Sequence, residues 1–172
     1  VVFRARQPGT EREIALKRMA QGSFSTTSMR LRFEREVAAA AALNHPGIVT
    51  VYGMECVDGL PVCAMEWVDG VSATQWAAGE RGVRRHHEEI LEVFLRICDA
   101  VQHAHARGVL HRDLKPTNVL IDSSGAPHVL DFGLALRMDC EDASRLTLSG
   151  DFLGTPAYAS PEQLLGNAEE LD

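Results

Sequence analysis

The sequence predicts an α+β chain with two lobes, an N-terminal antiparallel sheet carrying one helix, followed by a mainly helical C-terminal part. Three observations predict it. Before residue 70, apolar runs of strand length are separated by turn residues such as Pro8-Gly9-Thr10 and Asp58-Gly59, with one Ala-rich helical stretch among them. Beyond residue 70, apolar spacings of three and four take over. Between His111 and Gly133 the pattern returns to a hairpin flanked by polar residues, and the rest of the chain is organised around it. At 172 residues the chain can bury one sizeable core, and two small lobes fit that length.

Val1 to Arg6 alternates apolar and basic residues, and Ile14-Ala15-Leu16-Lys17 resumes a strand after the turn, which makes a hairpin. A Ser/Thr-rich loop, Ser23 to Ser28, leads into a helix over 29–43 with Thr27 or Ser28 as N-cap and alanine from Ala38 to Ala42. Asn44-His45-Pro46-Gly47 ends it. Ile48 to Gly53 and Leu60 to Trp67 supply two more strands, which complete the small sheet. Ser72 to Ala78 reads as a short capped helix stopped by Gly79. The long helix, about Glu88 to Arg107, sets Leu91, Leu95, Cys98, Val101 and His105 on one face, the expected core face. His103 and His105 lie two apart and share no helical face, and His86-His87 stands at a helix start. With no accompanying Cys or carboxylate set, these histidines are not read as a metal site.

The hairpin carries the chemistry. Val119 to Asp122 is one strand, Ser123-Ser124-Gly125 the turn, and a second strand near His128 to Leu130 runs back to Asp131. Antiparallel pairing sets the two ends side by side, so Asn118 and Asp131 face one point. Two hard oxygen ligands suit Mg²⁺, which completes its octahedron with water and phosphate oxygens. Asp113 lies on the loop entering the hairpin, within reach of what the metal holds.

The net charge of -7 and the lack of a Lys/Arg-rich run exclude a nucleic-acid or anionic-membrane surface. Cys56, Cys63, Cys98 and Cys140 form no Cys-x-x-Cys pair, the pattern of reduced cytosolic thiols. No run approaches the roughly 18 apolar residues of a membrane span, so no membrane contact is expected in this segment and the expected location is cytoplasmic. Neither end has a domain-boundary signature, and the chain is expected to be part of a larger domain.

His111-Arg112-Asp113-Leu114-Lys115-Pro116-Thr117-Asn118, Asp131-Phe132-Gly133 and Ile14-Ala15-Leu16-Lys17 together resemble the motif set of Ser/Thr protein kinases of bacterial signalling. Gly154-Thr155-Pro156-Ala157-Tyr158 and Ser160-Pro161-Glu162 resemble the end of that family's activation segment, with Ser160 where Ala is usual. The resemblance implies a bilobal kinase fold, with residues 1–66 as N-lobe, 67–70 as hinge and 71–172 as part of the C-lobe. It implies ATP and Mg²⁺ as cofactors and a protein Ser or Thr hydroxyl as acceptor. Asp113 would take the hydroxyl proton, Lys115 lie against the γ-phosphate, Thr155 touch both, and Asn118 and Asp131 bind the metal. Lys17 would bind the α- and β-phosphates, with Glu36 chosen over Glu34 as its partner. Nucleotide contacts would further come from Val2, Ala15, Met65, Glu66, Val68 and Leu120. Thr147 or Ser149 is an expected activating phosphorylation site, paired with Arg112, and self-association is a route to it. The family's glycine-rich phosphate loop is not represented, since Val1 to Ala5 matches the residues just after it. The opposing expectation is a catalytically silent nucleotide-binding scaffold or incomplete fragment.

Overall fold

The computed structural model describes residues 1–18, 27–57, 60–79, 85–132 and 156–161. Strands β1 (Val2–Arg6) and β2 (Glu13–Arg18) form the expected hairpin, with Val2 opposite Lys17 and Ala5 opposite Ile14. Helix α1 (Thr27–Ala41) follows, then β3 (Val51–Val57) and β4 (Leu60–Glu66). These four strands make one antiparallel sheet in the order β1-β2-β4-β3. Its inner face, with Ala15, Val51, Cys63 and Met65, packs against Val37 and Ala40 of α1. The alanines on α1 allow that close approach, and alanine costs the least in a helix.

Strand β3 begins three residues later than the expected Ile48 to Gly53 strand. Ile48 and Val49 are buried, but their backbone goes elsewhere. Ile48 forms a parallel bridge with Val129, and Val49 N–H donates to the Val129 carbonyl at 3.0 Å. An apolar run of strand character can pair with either of two sheets, and local sequence does not choose.

Strand β5 (Gly70–Ser72) runs directly into α2 (Ala73–Ala78), whose capping box joins Ser72 and Gln75. The short helix was legible and the strand before it was not. Gly70 belongs there for a steric reason, since a Cβ would stand 2.5 Å from the Ile121 carbonyl oxygen. Helix α3 (His87–His105) begins at a His86–Glu89 capping box, and a 3₁₀ turn (Pro116–Asn118) leads to β6 (Val119–Asp122) and β7 (Pro127–Val129). The second sheet is antiparallel in the order β5-β6-β7. A second short 3₁₀ turn covers Pro156–Tyr158.

The buried face of α3 corrects the sequence expectation. Val93, Ala100 and Ala104 are buried, whereas Leu91 and Leu95 are 58% and 60% exposed and Cys98 and His105 are exposed too. Of the expected set, Val101 packs partly against the core. The helix is apolar on more than one side, so periodicity alone cannot select a face. Small size decides it at Ala100, because Gly47 comes so near that a Cβ there would stand 3.2 Å from the Ala100 Cβ. Among the described residues, no helix is long and apolar enough to cross a membrane.

Candidate active site

The loop from His111 to Asn118 is built by short-range bonds. Lys115 Nζ pairs with Asp113 Oδ2 at 2.6 Å, and Asn118 Nδ2 donates to the Asp113 carbonyl at 2.9 Å and to Oδ2 at 3.3 Å. Asp113, Lys115 and Asn118 therefore stand together. The hairpin then closes, with Leu130 N–H donating to the Asn118 carbonyl at 2.9 Å. The pairing thus sets Leu130 opposite Asn118, and Asp131 follows immediately.

His111 anchors this arrangement, and sequence reasoning gave it no role. Its Nε2–H donates to the Leu130 carbonyl at 2.7 Å while Nδ1 accepts from Asp113 N–H at 3.3 Å, which fixes a neutral tautomer. The ring is 3% exposed and meets Phe132 edge-on at 4.9 Å. Burial pushes its pKa below the ordinary value, and the Leu130 bond with the Asp131 and Asp113 charges opposes that only in part. The missed signal was positional. A histidine on a loop between two apolar elements, two residues before the acidic group, is placed to bond both backbones.

Arg112 and Asp131 have φ of 65° and 62°, a left-handed backbone that side-chain-bearing residues rarely adopt. Such strain of order 1–3 kcal/mol persists only where neighbours hold it, and here it flanks the carboxylates.

The α1 side of the site is arranged differently from the expectation. Lys17 Nζ is paired with Asp131 Oδ2 at 2.7 Å, and Glu36 Oε1 with Arg112 at 3.3 Å. The expected Lys17–Glu36 pair is thus replaced by two others, each joining a residue of the first sheet or α1 to the hairpin loop. Cys63, opposite Lys17 in the β2–β4 register, is fully buried. Burial, with the Asp131 charge, raises its thiol pKa to about 11, so it is a protonated, inert wall.

Ala15 and Met65 face each other across β2 and β4, both buried. Glu66 is tied to the start of β3, its N–H donating to the Thr50 carbonyl at 2.8 Å and its carboxylate accepting from Thr50 N–H at 3.2 Å. Trp67 carries the Arg4 guanidinium over its ring at 5.1 Å. Val68 is half-buried, Val2 is exposed on β1, and Leu120 is half-buried in β6. Thr147, Ser149 and Thr155 lie outside the described residues.

Lys17 of the first sheet thus meets Asp131, which follows the second sheet, while Asp113, Lys115 and Asn118 form one bonded cluster on the loop before it. The family model for the protein kinase domain matches residues 1–171. The chain belongs to the protein kinase family. It is 38% identical over 175 residues to serine/threonine-protein kinase PknF of Mycobacterium tuberculosis, covering 99% of this chain and 36% of that protein. It is 37% identical over 171 residues to serine/threonine-protein kinase PknB of the same organism, covering 97% of this chain and 27% of that protein. Among solved structures, the M. tuberculosis PknI kinase domain superposes with a TM-score of 0.67 at 35% identity, over 79% of this chain and 55% of that one. The chain therefore spans about a third or less of these curated relatives and about half of the solved domain, and its fold is that of a protein kinase in part.

Proposed function

We propose that the protein is a Ser/Thr protein kinase, transferring the γ-phosphoryl group of ATP to a protein hydroxyl. The observation that carries this reading is the Asp113–Lys115–Asn118 cluster beside Asp131, with Lys17 reaching into it from the facing sheet. Phosphoryl transfer demands positioning and charge neutralisation, and these residues supply both.

In this reading Asp113 accepts the proton of the acceptor hydroxyl, whose oxygen bonds the γ-phosphorus as the β–γ bridging oxygen leaves with ADP. Lys115, held on Asp113 before substrate arrives, offsets charge on the transferred group. Lys17 binds the α- and β-phosphates, and Thr155 steadies Asp113 and Lys115. Val2, Ala15, Met65 and Leu120 enclose the base, and the backbones of Glu66 and Val68 face it. Protein kinases use a divalent metal, and the donor set here fits one. Asn118 turns its amide nitrogen toward Asp113, leaving its amide oxygen as the remaining donor, and the Asp131 carboxylate adds hard oxygen. Among the described residues no group of three or more His, Cys, Asp or Glu is placed to hold a metal ion, so water and phosphate oxygens would complete the shell. Mg²⁺ is the ion this suits, since it retains water and accepts few protein ligands. When bound, it neutralises phosphate charge.

The Arg112–Glu36 pair also supports a regulatory reading. A phosphate on Thr147 or Ser149 competes for Arg112, frees Glu36 to pair with Lys17, and so assembles the ATP-binding side. Self-association of two copies would supply that phosphate, and free Cys56, Cys63 and Cys98 suit a reducing cytoplasmic setting. Transfer of labelled γ-phosphate to a Ser/Thr substrate, lost by 10²–10⁴-fold in Asp113→Asn, tests the central reading. Undiminished transfer by that variant would defeat it, and ATP binding without transfer in the natural protein would favour the silent scaffold.

A further inference from the structure

The turn after α1 is fastened twice to the rest of the site. His45 Nδ1 accepts from Gly47 N–H at 3.0 Å, and the His45 carbonyl accepts from Ile48 N–H at 3.0 Å. On its other side the ring's Nε2–H donates to Asp99 Oδ2 of α3 at 3.0 Å, and the ring lies 4.9 Å from that of His103. Gly47 is pressed onto the same helix, since a Cβ there would stand 3.2 Å from the Ala100 Cβ.

That turn delivers backbone to β7. Val129 N–H donates to the Gly47 carbonyl at 2.8 Å and the Val129 carbonyl accepts from Val49 N–H at 3.0 Å, so residues 47–49 extend the second sheet at its open edge. Val129 stands two residues before Asp131. Leu130, between them, is held on Asn118 through its N–H and on His111 through its carbonyl. The backbone from which Asp131 departs is thus fixed from one side by the hairpin and from the other by the His45 turn.

We infer that His45 is a positioning residue for Asp131, holding through Gly47 and Val129 the backbone that presents this carboxylate to the metal. The inference rests on the phosphotransfer reading of the same site. A ligand's backing group commonly changes metal affinity 10–100-fold when lost. Asparagine can replace part of the imidazole's role, because its side-chain oxygen accepts from the N–H two residues on, though it is too short to reach Asp99. Leucine keeps the volume and accepts nothing.

The test measures binding of a non-hydrolysable ATP analogue by the full-length protein as a function of Mg²⁺ concentration, by titration calorimetry, beside labelled-phosphate transfer from ATP. His45→Leu is expected to raise the Mg²⁺ half-saturation about tenfold, with affinity for the Mg²⁺-free analogue unchanged, and His45→Asn to restore the natural value. Equal Mg²⁺ dependence in all three proteins would overturn the inference, as would His45→Asn no better than a folded His45→Leu. If His45→Leu does not fold, His45→Ala takes its place, a roughly tenfold rise in Mg²⁺ half-saturation supporting the inference and the natural value overturning it. Absent transfer with the expected Mg²⁺ shifts would sink the phosphotransfer reading and leave this one standing. Binding by the natural protein that ignores Mg²⁺ would overturn both.

Discussion

On the hairpin side of the site, Asp113 is bonded by Lys115 two residues away and Asn118 five residues away. On the α1 side, Glu36 meets Arg112 across 76 residues of sequence, and Lys17 reaches Asp131 from another sheet. The first set closes as soon as the loop and hairpin form, because short loops cost little entropy to close. The second depends on how α1 and the first sheet sit against the hairpin. Partly exposed ion pairs are also worth little each, so exchanging one partner for another is cheap. The difference teaches that the proposed base and metal ligands are built in, whereas the alignment of Lys17, the proposed ATP-binding lysine, is left adjustable.

The largest effect should come from removing what supports the built-in side. Phe132 is 2% exposed and packs on His111 and the core of the second sheet. Phe132→Ala is expected to cost about 3–5 kcal/mol of folding stability through lost burial and a cavity. Urea unfolding reads this directly. A loss below about 1 kcal/mol would mean that the hairpin stands without its ring contact, and the contrast between the two sides would weaken.

A smaller effect should sharpen the adjustable side. Arg112→Ala removes the pair that holds Glu36, worth at most about 1 kcal/mol at this exposure. In protein lacking loop phosphate, it is therefore expected to raise the basal transfer rate, by up to about fivefold, and to abolish further activation by phosphorylation. Basal rates are compared after phosphatase treatment. A lowered basal rate would show that Arg112 supports the hairpin instead of restraining Glu36.

The same contrast governs what the sequence revealed. The β1–β2 hairpin, the capped α2 and the β6–β7 hairpin that starts after Asn118 follow from patterns within about 20 residues, and turn chemistry and pairing fix them. Long-range choices were not legible. The run Ile48 to Gly53 has strand character throughout, yet Ile48 and Val49 join β7 and only the later residues join β4. Leu91 and Leu95 have the right period for a core face, but Ala100 and Ala104 are buried instead, and Ala100 lies against Gly47, where a close backbone needs a small partner. Family resemblance makes Glu36 the partner of Lys17, but register says nothing about which of several conformations the ion pairs adopt. His45 stands in Asn44-His45-Pro46-Gly47, whose residue types signal only a helix stop.

The smallest expected effect separates the two sides by pH. His111 is held neutral by burial, with a folded pKa below the ordinary value near 6.5. The unfolded chain takes up a proton at that ordinary value while the folded chain does not. Stability from neutral His111 is therefore complete above about pH 6.5 and is lost as pH falls toward the lowered folded value. The natural protein should melt progressively earlier on going from about pH 7.5 to about pH 5.5. His111→Gln keeps an N–H donor for the Leu130 carbonyl but cannot titrate, so its melting temperature should start lower and fall less over the same interval. If both proteins lose the same number of degrees, the acid sensitivity arises elsewhere. If the natural protein alone loses them, the imidazole that joins Leu130 to Asp113 is also the group through which acid first loosens the built-in side.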